Sequence, residues 1–162
     1  MPRFEGTFSI AGADAWIGKE LAVSDWLEIG QDQVTAFGEL TGHHHWLHLD
    51  PARAAAEGPF GGTIAQGFLM MDFILHFMEQ TGLRPVDAPF TLNYGLDKVR
   101  FLKPVPVGDG FRLRDRIALM AVDTRADGRS LMKTSHTMEV DGLEGAAVYA
   151  EWLALWVPES AS

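Results

Sequence analysis

The sequence predicts an α+β fold in which an antiparallel sheet packs on one long helix. Three observations lead there. Helical segments crowd the first half of the chain, four strand-length runs fill the second, and a largely apolar segment of about 15 residues joins them. No internal repeat or low-complexity linker divides the 162 residues, so 1–162 read as a single domain.

Residues 20–29 read as an early strand, and 31–41 as a helix in which Val34, Phe37 and Leu40 share 3.6-residue spacing before Gly42 stops it. After the loop 42–50, Asp50 is placed as an N-cap, Pro51 takes the first helical position and Gly58 ends a short helix. A second loop, 59–65, leads to the long helix 66–81, whose apolar residues occupy nearly every face and predict burial on most sides. Strands follow at 90–103, 110–123, 130–140 and 146–157, separated by turn chemistry such as Arg125-Ala126-Asp127-Gly128 and Asp141-Gly142. In the second of these, Phe111, Leu113 and Ile117 fall opposite Arg112, Arg114 and Arg116, which makes one face buried and the other wet.

Composition narrows the function classes. The net charge of −9 opposes attraction to a phosphate backbone, so nucleic acid is not an expected partner. Six of the 13 basic residues nevertheless fall between Lys98 and Arg116, either as a solvated strand face or as a landing site for a phosphorylated ligand. No apolar run follows the first basic residue, which argues against a secretory signal and for a cytoplasmic protein. The longest apolar stretch, 68–78, contains Asp72 and His76 and falls short of the roughly 20 residues that cross a bilayer. No membrane association is therefore expected. Without cysteine there is no disulfide framework, thiolate metal site or thiol nucleophile.

The loop Gly42-His43-His44-His45-Trp46-Leu47-His48-Leu49-Asp50, continued through Pro59-Phe60-Gly61-Gly62-Thr63-Ile64-Ala65-Gln66-Gly67-Phe68-Leu69, resembles the catalytic loop and following helix of MaoC-like dehydratases, especially the NodN-like branch. A second block, Asn93-Tyr94-Gly95-Leu96-Asp97-Lys98-Val99-Arg100-Phe101, and the terminal Ala150-Glu151-Trp152-Leu153-Ala154 are similar to the same branch. The resemblance implies a hotdog fold, with the sheet wrapped around the central helix. It also implies a homodimer and a coenzyme A or carrier-protein thioester as ligand. No cofactor is expected beyond the coenzyme A carried by such a substrate. The implied activity is hydration of trans-2-enoyl thioesters or the reverse dehydration.

In the family pattern an Asp opens the loop, a His follows five residues later, and a Gly amide at the start of the helix polarises the thioester carbonyl. His48 matches that His and Gly67 that Gly, whereas His43 stands at the Asp position. His45 occupies a place where Asn or Gln is common, and Gln66 replaces a His that often precedes the Gly. The resemblance therefore marks His48, His43 and Gly67 as catalytic candidates. His45, Gln66, Lys98 and Arg100 are substrate-binding candidates.

The chemistry needs a base for water, an acid for Cα and a donor for charge on the thioester oxygen. An imidazole titrates near working pH and serves as acid or base. A helix-start amide points out of its helix and is reinforced by the macrodipole. Two adjacent imidazoliums repel, so His43 and His48 are expected to be neutral near pH 7. The four loop histidines also suggest metal ligation, but consecutive side chains diverge in an extended loop and no metal is expected. Two other readings remain: a non-catalytic acyl-thioester binder, motivated by the missing Asp, and a thioesterase. The latter needs a carboxylate at the thioester, and Glu39 and Asp50 sit where a helix and an N-cap would use them.

Overall fold

The protein, a computed structural model, is described for Phe4 and residues 7–159. A 3-10 turn, Ala13–Trp16, precedes β1 (Glu20–Val23), β2 (Leu27–Glu28), α1 (Gln31–Thr41), α2 (Trp46–Leu49), α3 (Pro51–Glu57), α4 (Gly67–Thr81), β3 (Phe90–Phe101), β4 (Arg112–Thr124), β5 (Ser130–Val140) and β6 (Ala146–Val157). All the strands form one antiparallel sheet in the order β1-β4-β5-β6-β3, with β2 also on β4. The α+β expectation holds, and the boundaries of the four long strands agree with the positions of their turn residues.

The early strand expected over 20–29 is two strands. Between them Ser24 bonds Asp115 twice: its N–H donates to the Asp115 carbonyl at 2.8 Å and its Oγ accepts from the Asp115 N–H at 2.8 Å. The Asp25 N–H turns to Gln80 Oε1 at 2.8 Å. The bonds to Ser24 Oγ and Gln80 Oε1 take the backbone N–H groups of Asp115 and Asp25 that a continuous ladder would use.

Helix α1 ends at Gly42, whose φ of 71° is the left-handed conformation that closes helices. Its buried stripe runs through Val34 and Gly38, and Leu40 is 85% exposed, contrary to the periodic reading. The reason is close approach: a Cβ on Gly38 would lie 2.9 Å from Leu49 Cδ2, so the helix meets the next turn through its glycine and Leu40 faces outward. Asp50 caps α3 as expected, accepting from the Arg53 N–H at 3.0 Å, with Pro51 in the first turn.

Helix α4 buries Leu69, Met70, Ile74, Phe77 and Met78 in one core with Leu113, Ile117, Met132, Met138, Val148 and Trp152 of the sheet. Each such large side chain contributes roughly 1.5–3 kcal/mol on burial. Burial is less complete than expected, because Phe68 and Leu75 face outward beside β3. Among the described residues strand β3 pairs only with β6, and Phe90, Leu92, Tyr94 and Leu96 are exposed along this sheet edge.

On β4 the buried parity is Leu113, Asp115, Ile117 and Leu119, while Phe111 precedes the strand and is exposed. Asp115 is thus an acid in the core. Its Oδ2 lies 2.6 Å from His136 Nδ1, and His136 Nε2 lies 2.8 Å from Thr134 Oγ1. Burial pushes the Asp115 carboxyl above its ordinary range, and the His136 imidazole opposes that.

Candidate active site

Helix α2 is a single turn, too short to hold itself. His45 caps it, its Nδ1 accepting from the Leu47 N–H at 3.2 Å, and the turn presents His48 toward the segment that leads into α4. There His48 Nδ1 lies 2.7 Å from the Ile64 carbonyl. A carbonyl only accepts, so Nδ1 carries the hydrogen and Nε2 of the neutral ring keeps its lone pair. Burial holds the His48 pKa below the ordinary value, His43 and His45 push it the same way, and the Ile64 bond opposes them.

The His43 ring stands edge-on to His48 with centroids 5.1 Å apart. Both line a cavity of about 450 Å³ together with Gly67, the first residue of α4. The first amides of a helix have no intrahelical acceptor, so the Gly67 N–H is available to a ligand. The Phe101 ring packs closely on this glycine: a Cβ would sit 2.9 Å from Phe101 Cε1, so a larger residue would have to displace the ring. Aliphatic and aromatic side chains, Ile64, Phe68, Met70, Phe101 and Val148 among them, form most of the remaining wall. The structure therefore brings the three catalytic candidates to one apolar cavity.

The substrate-binding candidates are placed differently. His45 does not line the cavity; it caps α2 and stacks on Trp46 at 5.5 Å. Gln66 is buried, its Nε2 donating to the Val34 carbonyl at 2.9 Å, so it ties α4 to α1 instead of facing the cavity. Its Oε1 has no partner among the described residues. Lys98 lies over the Tyr149 ring at 5.8 Å, and Arg100 donates to its neighbour's carbonyl, Val99 O, at 2.7 Å. Neither reaches the cavity wall, although both stay exposed on β3.

The basic stretch 98–116 divides in two. Arg112, Arg114 and Arg116 pair with Asp141, Glu139 and Glu20. Lys103, just beyond β3, lines the cavity with its ammonium donating to the Glu144 carbonyl, and nothing in the sequence singles it out. It follows the strand whose Phe101 packs on Gly67, which was not legible before the register was known. Glu39 pairs with exposed His44 at 3.3 Å, and Asp50 is occupied as a cap. Neither carboxylate lines the cavity. Among the described residues no three His, Cys, Asp or Glu side chains are grouped to hold a metal ion, and no helix is long and apolar enough to cross a membrane.

Comparison with known proteins adds to this geometry. The family model described as MaoC like domain matches residues 13–138. The 3-hydroxyacyl-thioester dehydratase Z of Mycobacterium tuberculosis strain H37Rv is 40% identical over 157 residues, covering 97% of this chain and 99% of the relative. Nodulation protein N of Rhizobium leguminosarum bv. viciae is 37% identical over 150 residues, 91% of this chain and 90% of that protein. Among solved structures, the (R)-hydratase from A. caviae involved in PHA biosynthesis superimposes with a TM-score of 0.65 at 22% identity, over 80% of this chain and 89% of that one. Its likeness shows that the sheet and α4 form a hotdog fold.

Proposed function

Because the chain belongs to the MaoC-like dehydratase family, we propose that it is a hydro-lyase acting on acyl thioesters, adding water to a trans-2-enoyl thioester or removing it from the 3-hydroxyacyl thioester. The observation that carries this reading is the convergence of His43, His48 and the Gly67 amide on one apolar cavity. In the hydration direction His48 Nε2 takes a proton from water as the water oxygen attacks C3. Negative charge moves to the thioester oxygen, where the Gly67 N–H and the α4 dipole stabilise it. The His48 imidazolium then returns the proton to C2, and His43, at 5.1 Å between ring centroids, provides a second imidazole beside the reacting water. Atoms and charge balance over the cycle.

Coenzyme A or a carrier-protein pantetheine supplies the thiol portion, and Lys103, a cavity-lining residue whose ammonium donates to the Glu144 carbonyl, would exchange that bond for one to the phosphate. Purified protein incubated with short, medium and aryl enoyl-CoA compounds is expected to remove the conjugated thioester absorbance on at least one of them. Absence of turnover on all, with calorimetric binding retained, assigns the chain instead to the non-catalytic binders. The observation favouring that second reading is His43 itself, an exposed imidazole that brings no fixed negative charge to His48.

The same reading includes a homodimer. The β3 edge and a cavity of about 570 Å³ between α1, α4 and β3 expose Leu40, Phe68, Leu75, Tyr94 and Leu96, and a second copy would cover both the apolar surface and the strand edge. Solution scattering at micromolar concentration is expected to give twice the chain mass; the monomer mass would remove the dimer from the account.

A further inference from the structure

His48 takes part in a second set of bonds that the proposed chemistry does not use. Gln31, the first residue of α1, donates from Nε2 to the His48 carbonyl at 2.7 Å and accepts at Oε1 from Thr63 Oγ1 at 2.6 Å. Thr63 is buried, and the next residue, Ile64, supplies the carbonyl that receives His48 Nδ1. The Ile64 N–H in turn donates to the Leu47 carbonyl at 3.2 Å. One amide side chain therefore ties together the two short segments whose relative position sets the His48 ring. The His48 carbonyl lies in the last turn of α2, where it has no intrahelical donor, so Gln31 satisfies a group that the single turn leaves open.

We infer that Gln31 and Thr63 form a positioning clamp that fixes His48 in the tautomer with Nδ1 on Ile64 and Nε2 toward the cavity. The geometry explains why a four-residue helix can hold a reactive side chain. Helix α1, with 11 residues, is the larger body, and it grips the turn through its first side chain. The amide is suited to this because it carries two N–H donors and an acceptor at the same end; its second Nε2 bond goes to Thr35 Oγ1 at 3.3 Å, within α1. Gln31 touches neither the cavity nor a reacting atom, so it is a positioning residue whose effect passes through His48.

The inference rests on the catalytic assignment of His48 for its kinetic consequences, but its structural core can be tested without turnover. Nitrogen-15 NMR of the histidine rings, with His48 assigned by comparison with His48→Ala, reads the tautomer directly. Native protein is expected to show His48 protonated at Nδ1. Gln31→Ala should give a mixture of both tautomers, and Gln31→Glu should do the same, since an ionised carboxylate keeps the Thr63 bond but cannot donate to the His48 carbonyl. Thr63→Ser, which retains the hydroxyl, should match native protein, while Thr63→Val should shift in the direction of Gln31→Ala.

If native protein hydrates an enoyl-CoA, Gln31→Ala is expected to lower kcat about 10- to 100-fold with KM little changed, the scale of misplacing a catalytic group. The double variant Gln31→Ala/Thr63→Val should be no worse than Gln31→Ala, because both break one clamp. A native tautomer in Gln31→Glu and Thr63→Val would overturn the clamp, whatever the activity. Should Gln31→Ala fail to fold, those two variants and Thr63→Ser still decide the matter. Absence of turnover in native protein alongside the expected tautomer shifts would instead leave the clamp standing and remove the hydro-lyase reading.

Discussion

His136 and His48 sit in opposite surroundings. His136 lies in the core with a carboxylate, Asp115, at 2.6 Å and a hydroxyl, Thr134, at 2.8 Å on its other nitrogen. His48 lies half-buried at a cavity with a backbone carbonyl on one nitrogen and another imidazole beside it. The imidazole–carboxylate pair associated with acid–base chemistry is thus present in the fold, but it is buried and lines neither the His48 cavity nor the cavity beside β3. At the cavity the carboxylate position is His43. Residue type alone would rank His136 first, whereas access to a cavity favours His48.

Substitutions can break that comparison. The largest expected effect is at His48: His48→Ala should lower hydration of a responsive enoyl-CoA by about 10²–10⁴-fold, measured as initial rate, with the urea unfolding midpoint almost unchanged. His136→Ala should do the reverse. It leaves Asp115 as an unpaired buried carboxyl and should cost about 3–5 kcal/mol in urea unfolding, while the molecules that remain folded keep their turnover. If His136→Ala removed turnover without lowering stability, the division between structural and catalytic histidines would be wrong.

The pH dependence sharpens the same contrast. Burial and the neighbouring imidazoles lower the His48 pKa, so the neutral base persists to lower pH than an ordinary histidine allows. The acid limb of kcat/KM should therefore have its midpoint below about 6.5, with the rate falling as pH drops through it. A midpoint at or above 6.5 would contradict the placement of His48. A smaller effect is expected at Lys103. Lys103→Ala should raise KM about 2- to 5-fold for an acyl-CoA, as for an exposed charge contact. It should leave KM unchanged for the matching N-acetylcysteamine thioester, which carries no phosphate. Equal changes on both substrates would remove the phosphate role.

Much of the fold was legible because turns and caps are local. Gly42, Asp50-Pro51, Gly58 and Asp141-Gly142 each mark a boundary by backbone chemistry that needs no partner elsewhere. Less was legible where distant pairing decides. The alternation on β4 places Asp115 inward with Leu113 and Ile117, but only the register that sets Ile117 opposite His136 shows what satisfies it. Leu40 fitted the helical period and still faces out, because Gly38 makes the close approach to Leu49.

The site divides in the same manner. His48 and Gly67 are legible as matches to the family pattern and His43 by the Asp position it occupies, and the structure brings the three to one cavity. His45 and Gln66 occupy positions of that pattern with other residue types, and their side chains are used in capping α2 and in tying α4 to α1. Lys98 and Arg100 are close to Lys103 in sequence, but it is Lys103 that borders the cavity, where the chain leaves β3. Gln31 gave no signal, since a polar residue at a helix start is ordinary until its two partners are seen.

The central claim is that this cavity is a hydratase site in which an imidazole stands at the carboxylate position. His43→Asp tests it most directly, assayed as the initial rate of enoyl-CoA hydration in the single variant and in His43→Asp/His48→Ala. An aspartate there would favour the charged form of His48 and accept from the reacting water. The account predicts a gain within the roughly 10²–10⁴-fold range of general acid–base catalysis, abolished when His48 is also replaced. An unchanged rate in both proteins across a broad thioester panel would contradict it and leave a cavity that binds thioesters without turning them over.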